Sequence, residues 1–210
     1  MNKSFLNVPD GIRYLSEWKD LWNSLPDNQH YILNKRICGC GATEAYISSE
    51  KKVILASPRK HLLYNKYSQH LSDNLHLYRY QGSREKYFES KSCSEKDIMA
   101  FNGELGKYIE SGGKKILTTY DSLKNIKEVL VACGEKPDEW SVVVDEFQAM
   151  FYDCQFKPTT EYEFSQILKA FSSVVYLSAT PFLESYLEMT RQFKDMTICE
   201  LQWSDSITQL

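Results

Sequence analysis

The chain has 210 residues, of which 42% are hydrophobic and 25% charged, and its formal net charge at pH 7 is −3. This length suits one sizeable α/β domain, and the composition is that of a globular protein. The net charge excludes an overall positive field for nucleic acid or an anionic membrane, while a local basic groove stays compatible with it.

No stretch of the sequence has the apolar core of a signal peptide or an apolar run long enough to span a membrane. The sequence therefore predicts a cytoplasmic, intracellular protein with no membrane partner. Its six cysteines are scattered, with no C-x-x-C pair and no histidine at ligand spacing. This pattern favours reduced thiols over a disulfide framework or a zinc site.

Apolar side chains recur at steps of three and four between residues 10 and 25, which predicts an amphipathic helix ended by Pro26. They are Ile12, Leu15, Trp18, Trp22 and Leu25. Residues 1–27 are thus predicted to be a helical extension packed on a domain of residues 28–210. The aromatic stripe of Trp18 and Trp22 packs on that core or docks onto a partner.

From residue 28 onward, short apolar strands alternate with helical patterns. Strands are predicted at 30–34, 53–56, 75–80, 115–120, 140–144, 173–177 and 197–203. Apolar residues at helical spacing lie in 62–67, 98–108, 123–133 and 164–171. This alternation predicts one α/β domain with a mainly parallel sheet and helices on both faces. The polar section 81–113 is predicted to be in part a surface insertion.

Two adjacent carboxylates, Asp145 and Glu146, follow the run Val142-Val-Val144. Three β-branched residues without polar alternation are typical of a strand covered on both faces. The carboxylates then lie where the strand ends, the edge at which open α/β sheets bind ligands. The alternative is a solvated acidic turn.

A strand, a glycine-containing turn and a helix are predicted around Gly39-Cys40-Gly41, an arrangement that cradles phosphates. Against the pattern G-x-x-x-x-G-K-[S/T], Gly41 and Thr43 match. Arg36 stands at the first glycine and Ala42 at the lysine. The alternative is an ordinary turn between strand and helix.

Five stretches of the sequence, taken together and in this order, carry a resemblance that none of them carries alone. They are residues 39–43, 56–59, 118–122, 145–148 and 178–180. They resemble motifs I, Ia and Ib, the D-E-x-x box and motif III of superfamily 2 helicases of the DEAD/DEAH-box type. The resemblance covers about residues 28 to 182. It implies the first RecA-like domain of such a helicase, with a P-loop NTPase fold and a degenerate phosphate loop.

The resemblance also implies roles for individual residues. The loop would bind ATP through Gly39, Cys40, Gly41, Ala42 and Thr43. Mg²⁺ would be held by Thr43 and Asp145, while Glu146 would activate the attacking water and Gln148 would sense the γ-phosphate. Ser178, Ala179 and Thr180 would couple nucleotide state to domain movement. Nucleic acid, DNA or RNA, would lie along Pro58, Arg59, Thr118 and Thr119, for which the alternative is an exposed helix start and ordinary strand-end threonines.

Ala42 departs from the helicase pattern, because a lysine there contacts the β- and γ-phosphates. Losing a charge-assisted contact costs on the order of 1.5–3 kcal/mol, or roughly 10- to 150-fold in affinity. Lys35 or Arg36 is a candidate for the missing charge.

The sequence shows nothing that resembles the second RecA-like domain, which carries arginine fingers. That domain is expected from a missing part of the chain or from a partner, and the chain by itself is not expected to unwind a duplex. The alternative function is a catalytically inactive, helicase-like binding or scaffold module. Another P-loop enzyme, such as a terminase-like nuclease motor or a small-molecule kinase, is a further alternative.

Overall fold

Eight parallel strands form one sheet in the order β1-β8-β2-β7-β6-β3-β5-β4. The computed structural model describes residues 2–71, 74–89, 93–149, 158–179, 193 and 196–204, with backbone alone for 158–161. The strands are β1 (Asn2–Asn7), β2 (His30–Asn34), β3 (Val53–Ser57), β4 (Leu75–Leu77), β5 (Lys115–Thr119), β6 (Ser141–Val144), β7 (Ser173–Ser178) and β8 (Thr197–Gln202).

Helices connect most of these strands, as parallel pairing requires. They are α1 (Leu21–Ser24), α2 (Ala42–Ser48), α3 (Lys60–Gln69), α4 (Arg84–Glu89), α5 (Glu95–Glu110), α6 (Leu123–Ala132) and α7 (Pro158–Leu168). Single 3-10 turns lie at Leu15–Glu17, Tyr120–Ser122 and Pro137–Glu139. No helix in the described ranges combines the length and apolarity needed to cross a bilayer.

The two faces of the sheet each carry a separate apolar core. Val142 and Val144 point into a cluster that α5, α6 and α7 cover, whereas Val143 points into a cluster under α2, α3 and α4. Because side chains alternate along a strand, the uninterrupted valine run serves both cores. The predicted α/β class, with a parallel sheet and helices on both faces, is confirmed.

The single helix predicted for residues 10 to 25 is wrong. The structure has the 3-10 turn at Leu15–Glu17 and the one-turn helix α1, separated by a break at Trp18. The Leu15 amide donates to the Cys40 carbonyl at 2.8 Å, so no helix extends back from Leu15, and the extended backbone of Trp18 (ψ 98°) ends the turn there. Leu15 and Leu21 are still buried, so the apolar spacing reports packing rather than a helix.

Strand β1 was not predicted, and it extends the sheet at one edge by pairing with β8 from Asn2↔Thr197 to Asn7↔Gln202. It carries mostly polar residues and is largely exposed. An edge strand of this kind has one neighbour and no continuous apolar face, so its sequence carries little strand signal.

Candidate functional site

The sheet order places three of the predicted motifs side by side. Strand β7 lies between β2 and β6, with Asn34 paired to Ser178 and Val144 to Tyr176. All three strands are parallel, so the segments after their carboxyl ends meet at one edge. The loop that begins at Lys35, the acidic pair at Asp145 and the end of β7 therefore form one site.

A buried ion pair joins the loop to the acidic segment. The Lys35 Nζ lies 3.8 Å from the Asp145 Oδ1, and the two side chains are only 10% and 14% exposed. The Lys35 amide also donates to the Ser178 carbonyl at 2.8 Å. Lys35 thus directs its charge into the cleft between β2 and β6 instead of into solvent.

Hydrogen bonds hold the backbone of Asp145 in place, whereas one oxygen of its side chain accepts no hydrogen bond. Its amide donates to the Ala56 carbonyl at 2.9 Å, and its own carbonyl accepts the Tyr120 hydroxyl at 2.5 Å. The Oδ1 is inaccessible to solvent and has no hydrogen-bond partner among the described residues. Burial raises the pKa of Asp145, against the opposing influence of the Lys35 charge. A buried acceptor in this condition favours the arrival of a cation.

The segment from Lys35 to Gly41 connects β2 to α2, and the predicted phosphate loop 39–43 covers its end and the start of α2. Gly39 has φ +72° with open space where a Cβ would stand, and Gly41 has φ +74°. Such backbone conformations suit glycine and let amides approach an anion. Gly41 is also packed tightly, since an added Cβ would stand 3.2 Å from the Tyr14 Cβ.

Three residues of the predicted phosphate loop are buried. Cys40 is almost inaccessible, and its burial raises the pKa of the thiol. Ala42 and Thr43 are also buried in the first turn of α2. Ala42 therefore fills part of the apolar core and brings no charge to the site.

Arg36, the second candidate for a substitute cation, is engaged elsewhere. Its Nη1 lies 3.7 Å from the Glu200 Oε1 on β8, and its φ of +64° is left-handed. Glu200 also pairs with Lys3 at 3.1 Å and accepts from the Asn34 side chain at 3.3 Å. Of the two cations, Lys35 is the one directed at the acidic pair.

The side chains of Glu146 and Gln148 are joined, as the Gln148 amide donates to the Glu146 Oε2. Glu146 adopts φ +54°, which is sterically costly for a residue with a Cβ and is enriched at functional sites. The Gln148 Oε1 is buried and lacks a partner in the described part of the chain. Phe147 between them is fully buried and anchors the turn.

The remaining predicted residues occupy the same edge but differ in accessibility. Arg59 is exposed and Pro58 half-buried after β3. Thr119 is half-buried and donates to Ser122, whereas Thr118 is buried and has no exposed surface for a ligand. Ser178 is buried and Ala179 partly exposed, while Thr180 lies outside the described residues.

Four residues at this site were not predicted. Tyr120 holds the Asp145 carbonyl, Glu200 holds Arg36, and the Trp203 indole donates to the Lys35 carbonyl at 2.9 Å. Tyr14 packs on Gly41. Tyr120 directly follows the predicted threonines, so its position at a strand end is a usable signal. The other three come from distant segments and give no local signal.

The available oxygen ligands fit Mg²⁺ only in part. In the described residues no group of three or more His, Cys, Asp or Glu side chains could hold a metal ion. Mg²⁺, however, usually binds through one or two carboxylates together with substrate phosphates. Asp145 supplies one such carboxylate, with an oxygen that accepts no hydrogen bond, while the predicted second ligand Thr43 is buried in the first turn of α2. The site therefore fits Mg²⁺ that arrives with a phosphate group.

No protein-family model matches the sequence, and no curated protein matches it. Sixteen chains of solved structures are similar to it. One is Mss116p with its NTE and C-tail deleted, bound to single-stranded RNA and AMP-PNP. It matches with a TM-score of 0.52 and 11% identity, over 97% of this chain and 48% of that chain. The chain thus spans about half the length of the structure it matches. At this identity the likeness shows the RecA-like α/β fold and confirms the predicted fold class.

Proposed function

We propose that this chain is the ATP-binding half of a nucleic-acid helicase or translocase, with Mg-ATP bound between the loop 39–43 and Asp145-Glu146. The observation that carries the proposal is the buried Lys35–Asp145 ion pair, whose carboxylate oxygen accepts no hydrogen bond from the described residues, where β2 and β6 flank β7. The fold is shared with a protein bound to AMP-PNP and single-stranded RNA, which supports a nucleotide and a nucleic acid as ligands.

Lys35 is proposed to supply the charge that Ala42 lacks. Its ammonium group already lies in the cleft, and a rotation of the side chain away from Asp145 would bring it to phosphate oxygens. Bound phosphate would then take over the partner role of the carboxylate, and Asp145 would be released to a metal ion. Arg36 is a weaker candidate because Glu200 holds it.

Asp145 and Glu146 are proposed to have different roles. Mg²⁺, when bound by Asp145 and Thr43, would neutralise phosphate charge. Glu146 is proposed to accept the proton of the attacking water, with Gln148 holding its carboxylate in place. Positioning and electrostatic stabilisation supply most of the catalysis in phosphoryl transfer. A second RecA-like domain is proposed to complete the site, and Ser178, Ala179 and Thr180 to transmit closure.

Isothermal titration with Mg-ATP tests the nucleotide site directly. The unaltered chain should bind, and Lys35→Gln should weaken binding roughly 10- to 150-fold through loss of a charge-assisted contact. Arg36→Gln is the matched control, because it removes a neighbouring cation that Glu200 occupies, and it should change affinity little. Asp145→Asn should remove the difference between titrations with Mg²⁺ and with EDTA.

Other results would contradict particular parts of the proposal. Absence of binding at millimolar Mg-ATP, in this chain and in one carrying a second domain, would refute the nucleotide site. Loss of affinity in Arg36→Gln but not in Lys35→Gln would transfer the cation role to Arg36. Circular dichroism of each variant checks that the fold is kept.

The inactive binding module is the second candidate, and Ala42 is the observation that favours it. A buried alanine at this position cannot contact phosphate through charge. Under this alternative the chain binds nucleic acid through Arg59 and Thr119 and has no affinity for Mg-ATP. The same titration, followed by binding of an oligonucleotide, separates the two candidates.

A further inference from the structure

An aromatic cluster lies between α3 and α4, beside the proposed nucleic-acid path and outside the nucleotide site. The His61 ring stacks on the Phe88 ring with centroids 4.1 Å apart and an interplanar angle of 19°. Tyr64 contacts Phe88, Tyr87 and Tyr80 at centroid distances of 5.7 to 6.3 Å. We name His61, Tyr64, Arg84 and Phe88 the aromatic platform.

The platform packs on a buried residue, and two of its side chains are exposed. Tyr87 is buried under it, and the Lys60 ammonium donates to the Tyr87 carbonyl at 2.9 Å, which ties the start of α3 to α4. His61 and Arg84 are exposed, while Tyr64 and Phe88 are half-buried. Because one face of His61 lies on Phe88 and the residue is exposed, its other face is accessible to a flat ligand.

Arg84 adds a planar, positively charged guanidinium group to the platform. Its guanidinium group lies 5.8 Å from the centroids of both Tyr64 and Phe88. A cation at this distance is attracted to the faces of both rings, and both aromatic rings and guanidinium planes stack nucleobases.

The charge around the platform is opposite to that of the chain. Between residues 59 and 88 the sequence has six basic residues, Arg59, Lys60, Lys66, Arg79, Arg84 and Lys86, and two acidic ones, Asp73 and Glu85. The whole chain has a net charge of −3. Exposed Arg59, Arg84 and Lys86 make this a local basic surface that complements a polyanion.

The sheet order connects the platform to the rest of the edge. Arg59 follows β3, Thr119 ends β5, and α4 follows β4, the strand beyond β5. Adjacent strands are about 4.8 Å apart, so this row extends over roughly 10 Å from β3 to β4. That distance suits a short stretch of a single strand.

We propose that the aromatic platform binds unpaired bases of a single-stranded nucleic acid by stacking, chiefly on His61 and Arg84. This inference rests on the proposed nucleic-acid binding and adds base contacts to a path that otherwise contacts phosphates. Stacking accepts every base, so the platform recognises single strands without sequence preference. A duplex hides its base faces and is not a ligand for it.

Fluorescence anisotropy with two labelled decamers tests the inference on the full chain. One decamer is oligo-dT, and the other has the same phosphates but abasic sugars. Removing one stacked base contact should cost roughly 5- to 150-fold in affinity. The unaltered chain should therefore bind oligo-dT at least fivefold more tightly than the abasic strand. His61→Ala should remove most of that difference and leave binding of the abasic strand unchanged.

Three further variants distinguish an effect of base stacking from an effect of charge and from a general effect on binding. His61→Phe should keep the preference for bases, while Arg84→Lys should weaken it because lysine keeps the charge but has no plane. Tyr162→Ala is the matched control, since Tyr162 is an aromatic residue 68% exposed on α7, against the opposite face of the sheet. It should change neither affinity.

Equal affinity of the unaltered chain for both decamers would overturn the inference while leaving the backbone path intact. Equal weakening of both decamers by His61→Ala would overturn it as well, because the residue would then act through charge. Failure to bind either decamer at low salt would remove the platform together with the proposed nucleic-acid path. The Mg-ATP titration is independent of all three outcomes.

Discussion

Replacing Lys35 with methionine should destabilise the protein in a way that depends on pH. The change removes the positive partner of Asp145 and keeps the volume of the side chain. At the observed Nζ–Oδ1 separation of 3.8 Å, two unit charges attract by roughly 4 kcal/mol at an effective dielectric constant of 20. Breaking a buried pair by removing one partner typically costs about 3–5 kcal/mol. We therefore expect Lys35→Met to lower the free energy of unfolding by about 3 kcal/mol at pH 8.

The pH dependence follows from the remaining carboxyl group. Burial already raises the pKa of Asp145, and the Lys35 charge opposes that effect. In the variant the folded-state pKa rises further above the unfolded value. A raised folded-state pKa stabilises the protein at low pH, and this stability is lost as pH rises through it. The cost of Lys35→Met should therefore be smaller at pH 5 than at pH 8.

Urea unfolding, followed by tryptophan fluorescence at both pH values, measures this cost. Lys35→Met, Asp145→Asn and the double variant form a double-mutant cycle, in which the pair should show a coupling energy of about 2 kcal/mol. The double variant should be more stable than Lys35→Met alone. A cost below about 1 kcal/mol, the same cost at pH 5 and pH 8, or a coupling energy near zero would refute the reasoning.

Two further predictions concern the loop and the far edge of the sheet. Gly41→Ala should lower the free energy of unfolding by about 2–3 kcal/mol, because φ is +74° and the new Cβ would press on Tyr14. Gly39→Ala, at φ +72°, places its Cβ in open space and should lower that free energy by about 1–2 kcal/mol in the same urea assay. Equal costs would contradict the packing argument. Burial lowers the pKa of His76 to about 4, so stability that is complete above pH 6.5 should be lost as pH falls toward 4. His76→Phe, which can still stack on Tyr108, should reduce that acid loss by up to about 3 kcal/mol, and an unchanged slope would argue against a half-buried, neutral histidine.

The parallel sheet was predictable because its strands carry their signal locally. The run Val142-Val-Val144 has to be apolar throughout, since alternate valines enter cores on opposite faces. The same logic applies to Tyr31-Ile-Leu33, where Ile32 enters one core and its neighbours the other. Edge strand β1 escaped prediction because it has one neighbour and no requirement for apolar residues on both faces.

The position of the candidate site residues at the strand ends was predictable for the same local reason. Asp145 and the loop 39–43 each follow a buried strand, and parallel strands bring their carboxyl ends together whatever their order. The sequence therefore determined that these segments lie at one edge of the sheet, while the strand order decided that they are neighbours. It also suggested two cations, Lys35 and Arg36, as equal candidates for the missing charge.

Only the tertiary structure shows which carboxylate each of those cations lies near. Lys35 and Asp145 are 110 positions apart, and they pair because β7 is inserted between β2 and β6. Arg36 is diverted by Glu200, a residue of the last strand. The helix predicted for residues 10 to 25 was likewise replaced by a 3-10 turn and the short helix α1, since the Leu15 amide donates to the distant Cys40 carbonyl and the backbone of Trp18 is extended. Local sequence determines burial and strand ends through periodicity, but partners that are distant in sequence determine where a charge points.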